Sequence, residues 1–229
     1  MRKESRVDLH THSLLSDGVL LPSEMLRRVE VLQYGALAIT DHVDSSNLAQ
    51  VVRSLVLFYR EGVHGFSSAF IPGVEITHVR PGLIAPLARR ARQLGARLVV
   101  VHGETPVEPV APGTNRAAVE CPDVDILAHP GFLDETEAQL AAANGIALEI
   151  SARGGHCLAN GHVARLARLT GALLVVNTDS HSPSDLRDQA AARLVARGAG
   201  LTEEEADTAL VTNAWVLVSR ALRPPLQEV

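Results

Sequence analysis

Cysteine is almost missing from this chain: Cys121 and Cys157 are the only two, too few and too far apart for a disulfide framework or a thiolate zinc site. Both read as free, buried thiols of a reducing compartment. Aromatic residues make up only 3%, so the core must be built from Ala, Val, Leu and Ile, and stacking platforms for single-stranded nucleic acid are not available. A positive excess is missing too. The formal net charge of −5 argues against a surface that holds long polyanions by a basic field. Lysine is confined to Lys3, which leaves twenty arginines as the remaining basic inventory, and guanidinium is the group suited to bidentate contact with a small anion. No apolar run approaches the ~20 residues that span a bilayer, and the opening MRKESRVDLH lacks the apolar core of a signal peptide. The expectation is a soluble, cytoplasmic protein with no membrane partner. Neither GxGxxG nor GxxxxGK[ST] occurs, which disfavours a doubly wound nucleotide-binding sheet.

What remains is a globular chain of 229 residues, 46% apolar and 21% charged, an ordinary size for one α/β barrel. No linker or low-complexity tract divides it, so residues 1–229 read as a single domain. Short aliphatic runs at 7–10, 36–40, 69–75, 97–102, 124–129, 146–151 and 173–179 predict seven strands. Amphipathic patterns at 22–34, 48–61, 83–94, 115–120, 135–143, 162–169 and 184–197 predict the helices between them. Two closing helices are expected at 202–210, with Thr202 as N-cap, and at 213–222. Strands that alternate with helices and are apolar on both faces specify a parallel sheet. A seven-stranded (β/α)7, TIM-like barrel is the expected fold.

Ten histidines stand out against this background, and their placement matters more than their number. Groups able to bind metal recur at the predicted strand ends: Asp8, His10 and His12; Asp41 and His42; Glu75; His102; His129; Asp179 and His181. In a parallel barrel these ends open onto one face, where barrel active sites are assembled. Imidazole and carboxylate without thiolate favour Zn, Mn or Fe. The donors outnumber what one ion needs, so two to three divalent ions are expected, an arrangement suited to phosphate-ester hydrolysis.

The strings DLHTHSLLSDG (8–18), ITDH (39–42), PGVE (72–75), VVHGE (100–104), ILAHPG (126–131) and NTDSH (177–181) resemble, in order, the motifs of the polymerase and histidinol phosphatase (PHP) superfamily. The resemblance runs from residue 7 to about residue 183 and implies a distorted seven-stranded barrel with three ions at its strand ends. By that resemblance one ion is held by His10, His12, Glu75 and Asp179. A second shares Glu75 with His102 and His129, and a third is held by Asp17, His42 and His181. Asp41 is expected to brace an imidazole from behind, and Glu104 either to do the same, to accept a substrate group or to play a plain hydrogen-bonding role. Arg116, after Pro112-Gly113-Thr114-Asn115, and Arg153, in Ser151-Ala152-Arg153-Gly154-Gly155-His156, are expected to clamp phosphate, with Asn115 as a further substrate contact and His156 as substrate contact or general acid. His64, His78 and His162 receive no role.

The resemblance implies a phosphoesterase in which hydroxide bridging the ions attacks a small phosphate monoester, histidinol phosphate-like or a nucleotide. A nucleotide or oligonucleotide phosphodiesterase or exonuclease is the alternative within the same chemistry. A non-catalytic binding barrel, as in the archaeal ribonuclease P subunit that shares the fold but has lost metal ligands, is the alternative outside it; the intact donor set disfavours it. An amidohydrolase-like enzyme is disfavoured because the single lysine is Lys3. Nothing in the sequence speaks to oligomeric state.

Overall fold

The structure, a computed structural model, describes residues 5–223; Lys3 lies outside them. In chain order the elements are β1 (Val7–Asp8), α1 (Pro22–Val31), β2 (Ala36–Ile39), β3 (His42–Val43), α2 (Leu48–Glu61), β4 (Ala69–Ile76), α3 (Ile84–Leu94), β5 (Leu98–His102), α4 (Thr114–Val119), β6 (Ile126–Ala128), α5 (Glu135–Asn144), β7 (Ala147–Ser151), α6 (Asn160–Thr170), β8 (Leu174–Asn177), α7 (Gln189–Gly198), α8 (Glu203–Asp207) and α9 (Ala214–Ala221). Each of the seven expected strands forms. All pairings are parallel, in the order β1-β2-β4-β5-β6-β7-β8. β3 is an addition: the second strand breaks at Thr40 and Asp41, then resumes beside β4 with His42 opposite Glu75.

The helices form where periodicity and caps agree. Leu48, Val51, Val52 and Leu55 make one buried stripe on α2. Asp134 and Glu137 close a capping box on α5, and Thr202 with Glu205 does the same on α8. Two boundaries differ from expectation. The segment expected to be helical from 184 begins as a 3-10 turn, and α7 starts only after Asp188, whose side chain accepts from Ala191 N–H. The two closing helices are joined through a π-helical stretch, Thr208–Asn213, rather than separated.

Two apolar layers hold the barrel. One lies between sheet and helices. The other fills the interior with small and branched residues, among them Ala36, Ala38, Ile71, Val100, Ala128, Ala147 and Val175, and includes Ala214, Leu217 and Val218 of α9. α9 therefore seals the N-terminal mouth, and chemistry is left to the other end. The remaining seam, β1 against β8, closes by both backbone and side chain. Asp179 N–H donates to His10 O (3.0 Å) and His12 N–H to Ser180 O (2.8 Å). Below them Leu9 N–H donates to Asn177 Oδ1 (2.9 Å), Thr178 Oγ1 to Asp8 Oδ2 (2.7 Å), and the buried Arg6 reaches Val176 O (2.9 Å) and Asp8 (3.2 Å). Asp8 thus belongs to the seam. Its closure brings His10, His12 and Asp179 side by side.

Candidate metal centre

The structure brings together all nine expected donors. Glu75 is central and fully buried. His10 Nε2 (3.3 Å), His102 Nδ1 (3.2 Å) and His129 Nε2 (3.5 Å) surround its Oε1. Asp179 Oδ1 stands 3.2 Å from His12 Nε2 and 3.7 Å from His10 Nε2. Asp17 Oδ1, on the loop after β1, stands 3.2 Å from His181 Nε2 and 3.6 Å from His42 Nε2. Together with His12 these form a group whose ligand atoms all lie within 4.8 Å of one another. Donors bonded at ~2.0–2.2 Å to one ion stand about 3.0–3.5 Å apart, and most of these separations are of that size.

The polar accounting agrees. His10 Nε2, both nitrogens of His12 and His129, His102 Nδ1, Glu75 Oε1 and Asp179 Oδ1 are buried without a hydrogen-bond partner. Native interiors rarely leave such atoms unpaired. Their convergence on a shared space, with the wholly buried carboxylates Glu75 and Glu149 and the nearly buried Asp179, fits a set of divalent cations, because three uncompensated anions would be costly to bury. Without such ions, protons serve as the counter-charge. Burial opposes ionising His10, yet Glu149, Glu75 and Asp179 raise its pKa well above that of an ordinary imidazole. Burial likewise opposes a charged His102, but Glu75 and Glu108 push it up to about 9. Glu75 and Asp179 are held well below the usual carboxylate range by the surrounding histidines, against the effect of burial. Burial drives His12 down to about 3.

The donors come from strand ends whose backbone leaves the extended region. His129 (φ 27°) and Asp179 (φ 52°) are left-handed, an uncommon state for non-glycine residues that concentrates at functional sites. Above them opens a cleft of about 380 Å³ lined by Asp17, His42, His78, His102, Glu108, Arg153, His156, Asp179 and His181, among others. A larger hollow of about 870 Å³ lies at the opposite mouth beside Arg6, Gln33 and Tyr34; it holds no such convergence of ligand atoms among the described residues.

Arg153 and His156 line the cleft. Arg153 Nη1 lies 2.8 Å from His181 Nδ1 and 3.2 Å from Asp179 O. His156 Nδ1 pairs with Thr105 Oγ1 (2.8 Å), and burial lowers its pKa to about 4, so it is a neutral imidazole at physiological pH. Three expectations, for Arg116, Asn115 and Asp41, need correction, and of the roles open to Glu104 the plain hydrogen-bonding one is what the structure shows. Arg116 lies on the exposed side of α4, paired with Glu120 one turn on (2.5 Å), away from the cleft lining. Asn115 is buried and knits loops together: its Oδ1 accepts from Glu104 N–H (2.9 Å) and its Nδ2 donates to Pro130 O (2.8 Å). Glu104 accepts from the N–H groups of Gly113 (2.9 Å) and Asn115 (3.0 Å) and touches no imidazole. Asp41 accepts from Ser13 N–H, Ser13 Oγ and Ser16 Oγ, all at 2.7 Å, and so shapes the loop that carries Asp17 rather than bracing a histidine.

The imidazoles are braced by two other carboxylates. Glu149, in mid-β7, accepts from His10 Nδ1 (2.8 Å), Asn177 Nδ2 (2.9 Å) and His129 N–H (3.1 Å). Its signal in the sequence is an acidic residue inside the apolar run ALEIS. Glu108, on the loop after β5, stands 2.9 Å from His102 Nε2 and 3.1 Å from His78 Nε2. That interaction with His102 lowers the pKa of Glu108 to about 2. His78 therefore belongs to the cleft despite its loop position, and no spacing in the sequence marks it or Glu108.

No known family model matches the chain. It is 46% identical over 216 residues to an uncharacterized protein of Methanocaldococcus jannaschii, covering 94% of this chain and 99% of that protein. It is 29% identical over 227 residues to ribonuclease P protein component 3 of Methanosarcina mazei, covering 93% of this chain and 88% of that protein. Among solved structures, the histidinol phosphate phosphatase of Lactococcus lactis, complexed with zinc, L-histidinol and phosphate, has the same fold at a TM-score of 0.59 and 16% identity, over 86% of this chain and 95% of that one. No helix of the described residues is long and apolar enough to cross a membrane.

Proposed function

Because the chain belongs to the polymerase and histidinol phosphatase (PHP) superfamily of metal-dependent phosphoesterases, we propose that it hydrolyses a small phosphate monoester at a cleft holding two to three divalent ions. The observation that carries this reading is the complete donor set, nine converging residues of which six, His10, His12, Glu75, His102, His129 and Asp179, hold buried ligand atoms without a hydrogen-bond partner. His10, His12, Glu75 and Asp179 would hold one ion, Glu75, His102 and His129 a second, and Asp17, His42 and His181 a third. Divalent ions bound there would supply Lewis acidity, lowering the pKa of water and neutralising charge on phosphoryl oxygens.

The chain's own residues supply the rest. Glu149 fixes Nδ1 of His10 as the protonated nitrogen and leaves Nε2 free as a ligand atom. Arg153 offers a guanidinium at the cleft mouth for a phosphoryl oxygen. Neutral His156, held by the Thr105 hydroxyl in the cleft wall, would contact the leaving oxygen. A depressed pKa suits that positioning role better than general-acid work at neutral pH. The net charge of −5 and the 3% aromatic content favour a small ester over a long nucleic acid.

The ribonuclease P component, similar along nearly the whole chain, supports a second reading: a barrel that binds RNA or protein without turnover. One experiment separates the two. Purified protein loaded with Mn, Zn or Fe is assayed for phosphate release from p-nitrophenyl phosphate, histidinol phosphate, nucleotides and short oligonucleotides, beside a His10→Ala variant. Turnover of monoesters, lost in the variant, is expected. No release by metal-loaded protein, or equal release by the variant, overturns the enzyme reading.

A further inference from the structure

Behind Arg153 lies a second, smaller cavity of about 260 Å³, walled by Ala152, Arg153, Gly154, Thr178, Asp185 and Arg187. The metal-binding chemistry makes no use of it. A water molecule occupies about 30 Å³ of liquid volume, so the space admits an anion of several heavy atoms together with water. Its two guanidiniums are set alike. Arg187 is anchored through Nη1 to the carbonyl oxygens of Ser184 (2.6 Å) and Leu186 (3.4 Å). Arg153 is anchored through Nη1 to Asp179 O (3.2 Å), beside the His181 ring. Neither Nη2 makes a hydrogen bond to another described residue.

The cavity has one carboxylate, Asp185. Its Oδ2 already accepts from His181 N–H (3.0 Å), Ser182 N–H (2.8 Å) and Ser182 Oγ (2.9 Å). Arg153 already faces a carboxylate in the cleft, its Nε lying 3.7 Å from Asp179 Oδ2, whereas Arg187 has no ion-pair partner among the described residues and is the cavity's unanswered positive charge. A Cβ placed on Gly154 would meet nothing within 4 Å, so the wall is open there. Guanidiniums held by part of their N–H fork are preorganised for phosphate or carboxylate. Arg153 lines both this cavity and the metal-binding cleft, which makes the two spaces neighbours across one side chain.

We propose that this cavity is an anion subsite of the cleft, with Arg187 as its determinant, and that the substrate carries a second anionic group, phosphate or carboxylate, besides the phosphoryl group that is hydrolysed. This rests on the phosphoesterase reading above. The test compares matched pairs on metal-loaded protein: adenosine 3′-phosphate against adenosine 3′,5′-bisphosphate, and glycerol 3-phosphate against 3-phosphoglycerate. At least a tenfold preference in kcat/KM for the doubly anionic member of one pair is expected, expressed in KM and lost in Arg187→Ala. Partial retention is expected in Arg187→Lys. The pair that shows the preference tells phosphate from carboxylate.

Equal handling within both pairs, or a preference that survives in Arg187→Ala, overturns the subsite. If no ester is turned over, the phosphoesterase reading fails, and calorimetric affinities for the same pairs still decide the subsite by the same two criteria. Thermal melting of both variants establishes that they are folded.

Discussion

Glu149→Gln removes one charge from the centre of the barrel with almost no change of shape. The carboxylate accepts three hydrogen bonds, from His10 Nδ1 and Asn177 Nδ2 on Oε1 and from His129 N–H on Oε2. A glutamine amide can satisfy only one side. With its oxygen toward His10, its NH2 faces His129 N–H, donor against donor. With its oxygen toward His129, its NH2 faces His10 Nδ1, which must then accept; the proton moves to Nε2, and His10 loses its ligand lone pair toward Glu75. Either arrangement leaves a buried donor unpaired, at about 1–3 kcal/mol. Loss of the carboxylate that orients a ligand histidine typically lowers metal affinity or activity about 10–100-fold. The expected outcome is a folded protein whose Zn or Mn affinity, measured by competition with a chromogenic chelator, falls by that factor, with phosphatase activity at limiting metal falling in parallel. Unchanged metal affinity in folded Glu149→Gln would refute the bracing role.

Metal binding should release protons, because His102, raised to about 9, must lose its proton to act as a ligand; affinity should climb between pH 6 and 9, and titration in weak buffer should show acidification. The same shift acts on metal-free stability: a folded pKa raised above the unfolded 6.5 stabilises fully below pH 6.5 and is lost as pH rises through about 9, so the melting temperature of metal-free protein should fall across that window. Arg116→Ala should leave kcat/KM unchanged within twofold, since the residue pairs with Glu120 outside the cleft; a tenfold loss would restore it to the substrate site. Gly131→Ala should lower stability by about 2 kcal/mol or more, read from the urea midpoint, because Gly131 has φ 61° and an added Cβ would lie 2.0 Å from Glu104 O.

The donors were legible because a parallel barrel delivers every strand end to one rim, so a ligand at the end of a predicted strand needs no knowledge of pairing. His10, His42, Glu75, His102, His129 and Asp179 could all be placed in this way. Asp17, on a loop, could be placed only through the family resemblance. The bracing groups follow no such rule. Glu149 sits inside its strand, and only the inward register of β7 against β8, where Glu149 pairs with Val175, turns it toward His10. Glu108 and His78 come from separate loops and meet in the fold. Asp41 and Glu104 looked like braces because each adjoins or nearly adjoins a ligand histidine, yet chain proximity does not set side-chain direction: both face loop donors instead.

Arg116 was misplaced for a different reason, one the sequence did contain. Its spacing of four from Glu120 is the helical ion-pair spacing, and on an exposed helix that local partner competes with a role at the rim. Arg153 has no such partner on its own segment, and its guanidinium is held by the carbonyl and the carboxylate of Asp179, which the pairing of β7 with β8 brings within reach. The distinction is physical. A basic residue whose charge is answered within one helical turn is free of the site, whereas one answered only by long-range closure is positioned by the fold, and is therefore where the substrate's charge should be sought.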